Sequence, residues 1–229
     1  MDKIKIARMI DISSVKAETT IQDVQSIADM AKEFRFICAF TMPCVTGYLV
    51  EQLRDENDVM TGGVVGFPSG ADLTKIKVAC AAELVMAGVD ELDMVIQVGA
   101  LKSGFYDFVC DDIRAVVDAA KGLPVKCIIE ASYLSDDEIK RASELVVEAG
   151  AAFVKTGTGW GPKPTTIETI KIIKETIGDA AQIKAAGGIT GLDTVLEMQA
   201  LGVSRFGLGA KNAQTIMREA RRRELHHRL

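Results

Sequence analysis

Histidine is nearly absent from this chain of 229 residues: the two it has, His226 and His227, stand among the last four positions. Zinc hydrolases and zinc-dependent aldolases draw imidazole ligands from within the fold, so no catalytic metal is expected, and no other cofactor. Cysteine is sparse and odd in number. Cys38, Cys44, Cys80, Cys110 and Cys127 contain no CxxC spacing, which points away from a disulfide framework and towards a reduced, cytoplasmic setting. No apolar run reaches the roughly 20 residues that a membrane helix needs, and the stretch Met1-Asp2-Lys3-Ile4-Lys5 does not read as a signal peptide. Basic residues are outnumbered, 27 Lys and Arg against 32 Asp and Glu, for a net charge of -5. That balance argues against nucleic acid as the main partner. Small molecules and further copies of the same chain are the partners expected. The basic stretch from about 218 to 229 is expected to be a frayed, solvated helix end.

What is present is a regular alternation. Short apolar runs that read as strands occur at 9–13, 36–40, 63–67, 91–96, 125–130, 152–157, 182–186 and 205–209. Amphipathic stretches lie between them. In 74–87, Ile76, Ala79, Cys80, Glu83, Leu84 and Ala87 recur at helical spacing. Ser135 with Glu138, and Thr165 with Glu168, match the capping box, in which two side chains satisfy free backbone N–H groups at a helix start. Gly88, Gly150 and Gly202 each follow a helical stretch and precede a strand, as suits the left-handed residue that ends a helix. Strands separated by helices need crossover connections, so the sheet should be parallel. Eight such units in this length predict an α/β fold, a single (β/α)8 TIM barrel over 1–229 with a short N-terminal helix.

Charges fall on the wrong face of these strands for simple packing. Strand side chains alternate between two faces, and the outer face of a barrel meets helices. Leu92, Met94 and Ile96 share the apolar face, which sends Asp93 inward. Val125, Cys127 and Ile129 send Lys126 and Glu130 inward, and Val154 and Ile183 with Ala185 do the same for Lys155 and Lys184. One such residue would read as part of a structural ion pair. Three lysines and two carboxylates near strand C-terminal ends, where barrel active sites sit, read as an active site. A buried lysine beside a second lysine is pushed towards the neutral amine, a nucleophile that forms Schiff bases. The glycine-rich ends Gly157-Thr158-Gly159, Gly187-Gly188 and Gly207-Leu208-Gly209 present backbone N–H groups that could cradle an anion, or else form tight turns that need positive φ.

Taken together, Val65-Gly66-Phe67-Pro68-Ser69-Gly70, Asp90-Glu91-Leu92-Asp93-Met94-Val95, Val125-Lys126-Cys127-Ile128-Ile129-Glu130, Phe153-Val154-Lys155-Thr156 and Lys184-Ala185-Ala186-Gly187-Gly188 resemble the 2-deoxyribose-5-phosphate aldolase family, in order, from about Asp11 to Gly209. The resemblance implies a metal-free class I lyase of carbohydrate breakdown on a (β/α)8 barrel. Such an enzyme cleaves 2-deoxyribose 5-phosphate reversibly to acetaldehyde and glyceraldehyde 3-phosphate. It implies Lys155 as the Schiff-base lysine, Lys184 as the lysine that lowers its pKa, Asp93 as the proton relay and Lys126 as a supporting lysine. It places Asp11 and Cys38 near the substrate, with Thr156 to Gly159, Gly187, Gly188, Gly207 and Gly209 lining the pocket. The chain departs from the family pattern at the phosphate end. Thr156-Gly157-Thr158-Gly159 stands for Thr-Ser-Thr-Gly, Gly207-Leu208-Gly209-Ala210 for Gly-Ala-Ser-Ser, and Thr41-Met42-Pro43 lacks the Asn-Pro; no tyrosine ends the chain. Weaker discrimination for phosphorylated acceptors is therefore expected. The alternatives are a Schiff-base aldolase for a different or an unphosphorylated acceptor aldehyde, and a non-covalent sugar-phosphate isomerase or binding barrel.

Overall fold

Within residues 3–226, which the computed structural model describes, eight parallel strands close into a barrel in chain order. They are β1 (Ile10–Ser14), β2 (Cys38–Thr41), β3 (Met60–Val65), β4 (Glu91–Val95), β5 (Val125–Ile128), β6 (Phe153–Lys155), β7 (Gln182–Ala186) and β8 (Val203–Gly209). β1 pairs with both β2 and β8, which completes the ring. The short helix α1 (Lys3–Ala7) precedes β1. The outer layer is α2 (Ile21–Phe34), α3 (Pro43–Leu53), α4 (Thr74–Ala87), α5 (Val98–Lys102), α6 (Tyr106–Ala119), α7 (Asp136–Glu148), α8 (Ile167–Ile177), α9 (Leu192–Ala200) and α10 (Ala210–His226). No described helix is long and apolar enough to cross a membrane.

Local chemistry sets the boundaries. Ser135 and Glu138 form the expected capping box at α7, while the box expected from Thr165 and Glu168 does not form. Thr166 caps α8 instead, accepting from the Thr169 N–H, because the Thr165 hydroxyl is taken by the Ala186 carbonyl at 2.6 Å. Strand β3 starts three residues before the expected point and ends before Gly66, whose φ of 63° turns the chain outward. β5 stops at Ile128, ahead of Glu130, which adopts a left-handed φ of 52°.

The outward side chains Leu92, Met94, Val125, Cys127, Val154, Ile183, Ala185, Phe206 and Leu208 are buried against the helices. Barrel interiors are normally filled by layers of branched apolar side chains. Here the apolar part of the interior includes a small cluster of Cys38, Phe40 and Val64, with the Phe153 ring beside Lys126 and Arg205. Gly62 makes room for it: a Cβ there would fall 2.1 Å from the Phe40 ring. Charged side chains fill much of the rest.

One expectation about the helices needs correction. α4 turns Lys77, Ala81 and Leu84 to the core and leaves Ile76 half exposed. A lysine can be buried there because Asp112 on α6 pairs with it at 2.7 Å and the Val95 carbonyl accepts from it at 2.9 Å. Helix α10 runs to His226, with Ala220 buried and Arg223 paired with Asp193 at 2.7 Å. Positions 227–229, which include His227, lie outside the described residues.

Candidate active site

Strand alternation places Asp11, Glu91, Asp93, Lys126, Lys155, Lys184 and Arg205 inside the barrel, and each is buried. Neighbouring registers bring them level: Asp93 lies opposite Lys126, and Lys155 opposite Lys184. Lys155 Nζ donates to Asp93 Oδ2 at 2.6 Å, and Lys184 Nζ donates to the same oxygen at 2.6 Å. Lys184 also lies 2.6 Å from Asp11 Oδ2, with the Phe40 ring beneath its ammonium at 4.1 Å. Arg205 Nε donates to Asp11 Oδ1 at 2.8 Å and its Nη2 reaches Glu91 Oε1 at 2.5 Å. Lys126 Nζ lies 2.5 Å from that Glu91 oxygen and 3.6 Å from Asp93 Oδ1.

This arrangement separates the two lysines on Asp93 chemically. Burial is the strongest influence on Lys155 and favours the amine; Asp93 opposes it and the neighbouring Lys184 charge adds to it. The result is a shift from the usual 10.5 to about 8. Burial also disfavours the Lys184 ammonium, but Asp11 and then Asp93 outweigh it and hold that lysine above its ordinary range. Burial would raise Asp93, yet Lys155, Lys184 and Lys126 keep it well below the usual carboxylate range. At pH 7 a lysine titrating near 8 is neutral about one time in ten, against about one in 3,000 for an unshifted one. In the resting site the pair therefore offers an amine nucleophile beside a lysine held cationic and an aspartate held ionised.

A cavity of about 580 Å³ opens above these groups at the C-terminal end of the strands, with Asp11, Asp93, Lys155 and Lys184 in its floor. Trp160, the single tryptophan of the chain, crosses its mouth. The indole Nε1 donates to the Val15 carbonyl at 2.9 Å, and the ring meets Phe67 edge-on at 6.2 Å between centroids. The far side of the cavity is lined by Lys16, Gly187, Gly188, Gly209 and the first turn of α10, which carries Lys211. Among the described residues no group of His, Cys, Asp or Glu gathers in a way that could hold a metal ion.

Comparison with known proteins agrees with this geometry. Residues 9–209 match the model of the DeoC/LacD family aldolases. The chain belongs to that family. It is 47% identical over 214 residues to a deoxyribose-phosphate aldolase of Sinorhizobium medicae, covering 93% of this chain and 86% of the relative. Among solved structures it is similar to the aldolase QR15, with a TM-score of 0.89 at 31% identity over 96% of this chain and 97% of the other. It is also similar to a tetrameric deoxyribose phosphate aldolase of Aeropyrum pernix, with a TM-score of 0.85 at 26% identity over 96% and 92%.

In this family aldolase the residues singled out from sequence separate into three places. Lys155, Lys184, Asp93, Asp11, Thr158, Gly159, Gly187, Gly188, Gly207 and Gly209 line the cavity. Lys126 and Cys38 are completely buried and do not line it. Lys126 pairs with carboxylates from within the barrel, and the Cys38 thiol is raised well above its ordinary range, first by burial and then by Glu91 and Asp11. Thr156 and Gly157 line a separate hollow of about 490 Å³ behind the β6 loop. The Thr156 hydroxyl is occupied by the Ala186 N–H at 2.9 Å and the Ala186 carbonyl at 3.0 Å. Glu130 does not join the lysines: its carboxylate accepts from the Thr158 N–H and hydroxyl and so supports the loop that follows Lys155. Glu91 and Arg205 were missed, although both were legible. Glu91 precedes Asp93 by two residues and shares its face, and Arg205 alternates with the outward Phe206 and Leu208.

Proposed function

We propose that this aldolase cleaves 2-deoxyribose 5-phosphate reversibly to acetaldehyde and glyceraldehyde 3-phosphate through an imine on Lys155. The observation that carries the reading is the shared oxygen of Asp93, which holds a lysine shifted to about 8 and a lysine held cationic within 2.6 Å each. Neutral Lys155 Nζ adds to the substrate aldehyde carbon, and the carbinolamine loses water to give a protonated imine. Loss of the proton from the C3 hydroxyl then lets the C2–C3 bond break. Its electron pair flows into the imine to form an enamine, and C3 leaves as the aldehyde of glyceraldehyde 3-phosphate. Protonation of the enamine at C2 and hydrolysis of the imine release acetaldehyde and restore the amine. Asp93 touches Lys155 and serves as the proton carrier for these steps, Lys184 keeps the amine deprotonated, and Asp11 holds Lys184 in place. Lys126 acts through Asp93 and is a positioning residue.

The distal phosphate is assigned to the backbone N–H groups near Gly187, Gly188, Gly207 and Gly209 and to the first turn of α10, with Lys16 and Lys211 as cations. Thr158 and Gly159 form the wall next to Lys155, while Thr156, Gly157 and Cys38 support the site from behind. Gly207 serves by its size, since a Cβ there would lie 3.4 Å from Lys184 Cε and 2.9 Å from Ala186 Cβ. The absent serines favour a second reading, in which unphosphorylated acceptor aldehydes are also used well. Cleavage of 2-deoxyribose 5-phosphate, followed by acetaldehyde release, tests the first reading, with Lys155→Ala as the inactive control. A purified chain that turns over unphosphorylated analogues as well as the phosphorylated sugar would favour the second. Self-association in the cytoplasm completes the proposal. It draws on the tetrameric neighbour and on five free cysteines, and sedimentation of the purified chain tests the assembly.

A further inference from the structure

Glu91 and Arg205 are buried charges to which the proposed chemistry gives no task. They close a ring. Asp93 contacts Lys184, which contacts Asp11, which contacts Arg205, which contacts Glu91, which contacts Lys126, at 2.5 to 2.7 Å throughout. Lys126 returns to Asp93 at 3.6 Å. The six charges alternate in sign, three of each, so the ring is neutral as a unit. Lys155 hangs from it at Asp93 as a seventh charge without a counter-ion of its own.

The remaining walls do not alter this balance. β2 contributes the neutral Cys38 thiol, and β3 (Met60–Val65) has no ionisable side chain. Glu130, just past β5, is engaged with Thr158. Around the cavity above the ring, Lys16 and Lys211 are matched by Glu18 and Asp23. An ammonium added to a neutral, buried cluster lacks compensation, whereas the amine restores it. We propose that Glu91 and Arg205 are positioning residues for the Schiff-base reaction: they complete a neutral ring and thereby leave Lys155, outside that ring, as the amine that releases its proton. The inference rests on Lys155 as the imine-forming residue.

The ring makes a signed demand that a purely structural role does not. Glu91→Gln leaves it with one excess positive charge and disfavours the Lys155 ammonium further. Arg205→Gln leaves one excess negative charge and favours it. A unit charge removed from about 10 Å away, at an effective dielectric of about 20, moves a buried pKa by on the order of one unit.

The test is the rate at which cyanoborohydride traps acetaldehyde on the full-length protein, followed by intact mass from about pH 6 to 10. Relative to wild type, the midpoint of the rise should fall by about one pH unit in Glu91→Gln and climb by about one unit in Arg205→Gln. Arg205→Lys should keep the wild-type midpoint. The double variant Glu91→Gln/Arg205→Gln, whose ring is again neutral, should return to it. Shifts of the same sign, or no shift in folded variants, overturn the proposal. If Arg205→Gln does not fold, Glu91→Gln decides alone, and an unchanged or raised midpoint overturns it. A wild-type chain that forms no adduct at all would instead remove the Lys155 assignment itself, and this inference with it.

Discussion

Replacing Lys184 with methionine removes a cation whose separation from Lys155 is bounded by the geometry. Both ammonium nitrogens lie 2.6 Å from the same oxygen, Asp93 Oδ2, so they are no more than 5.2 Å apart, twice that distance. At an effective dielectric of about 20, two unit charges at that separation repel by about 3 kcal/mol, or about two pKa units. Without Lys184, the Lys155 amine should titrate at about 10 instead of about 8. The sign follows from the active form: Lys155 attacks when neutral, so raising its pKa moves the acid limb of the rate profile upward. At pH 7 the neutral fraction, and kcat/KM with it, should drop about 100-fold and then recover about tenfold per pH unit. The fold should survive, because Asp11 keeps Arg205 and Asp93 keeps Lys155 and Lys126. The cost should be below the roughly 3–5 kcal/mol of a buried charge left with no partner. The assay is kcat/KM for retro-aldol cleavage against pH, beside a thermal melt. A folded variant whose acid limb stays within half a pH unit of wild type, at substantial activity, would refute the reasoning.

Three further outcomes follow from the site. Prolonged treatment with EDTA should leave kcat unchanged, and loss of activity restored by a divalent ion would contradict a reaction carried by lysine alone. Ala210→Ser places a hydroxyl at the start of α10, where a hydrogen bond to a charged acceptor is worth roughly 1.5–3 kcal/mol, so use of glyceraldehyde 3-phosphate should improve by tenfold or more relative to free glyceraldehyde. An equal gain for both acceptors would place the phosphate elsewhere. Because Trp160 is the only tryptophan and crosses the cavity mouth, its emission should change on saturation with a phosphorylated sugar, and an unmoved spectrum at saturation would place the ligand away from this mouth.

Much of the architecture was legible because alternation and helix punctuation are local signals. α4 and β7 begin and end where the pattern predicts, and Gly88, Gly150 and Gly202 take the positive φ expected of residues that end helices. The inward set of Asp93, Lys126, Lys155 and Lys184 followed from period-two alternation alone. Glu130 broke that rule because β5 had already ended; its left-handed backbone turns the side chain to the β6 loop, a conformation that alternation does not encode. The helical spacing in 74–87 did not mark Lys77 as an inward residue, because its partner, Asp112, comes from a helix 35 residues further on. The glycine-rich ends were ambiguous for a similar reason. Gly187 and Gly188 do take positive φ, at 98° and 74°, whereas Gly209 does not and has open space around it. Trp160 reaches across to Val15, a contact 145 residues away along the chain, and no local pattern marks it.

The central claim is that Lys155 carries the covalent chemistry, and borohydride reduction in the presence of acetaldehyde tests it most directly. Peptide mapping of the reduced protein should find one ethyl group, on Lys155, in wild type and none in Lys155→Ala. An adduct on Lys126 or Lys184, or one that persists in Lys155→Ala, would contradict the account.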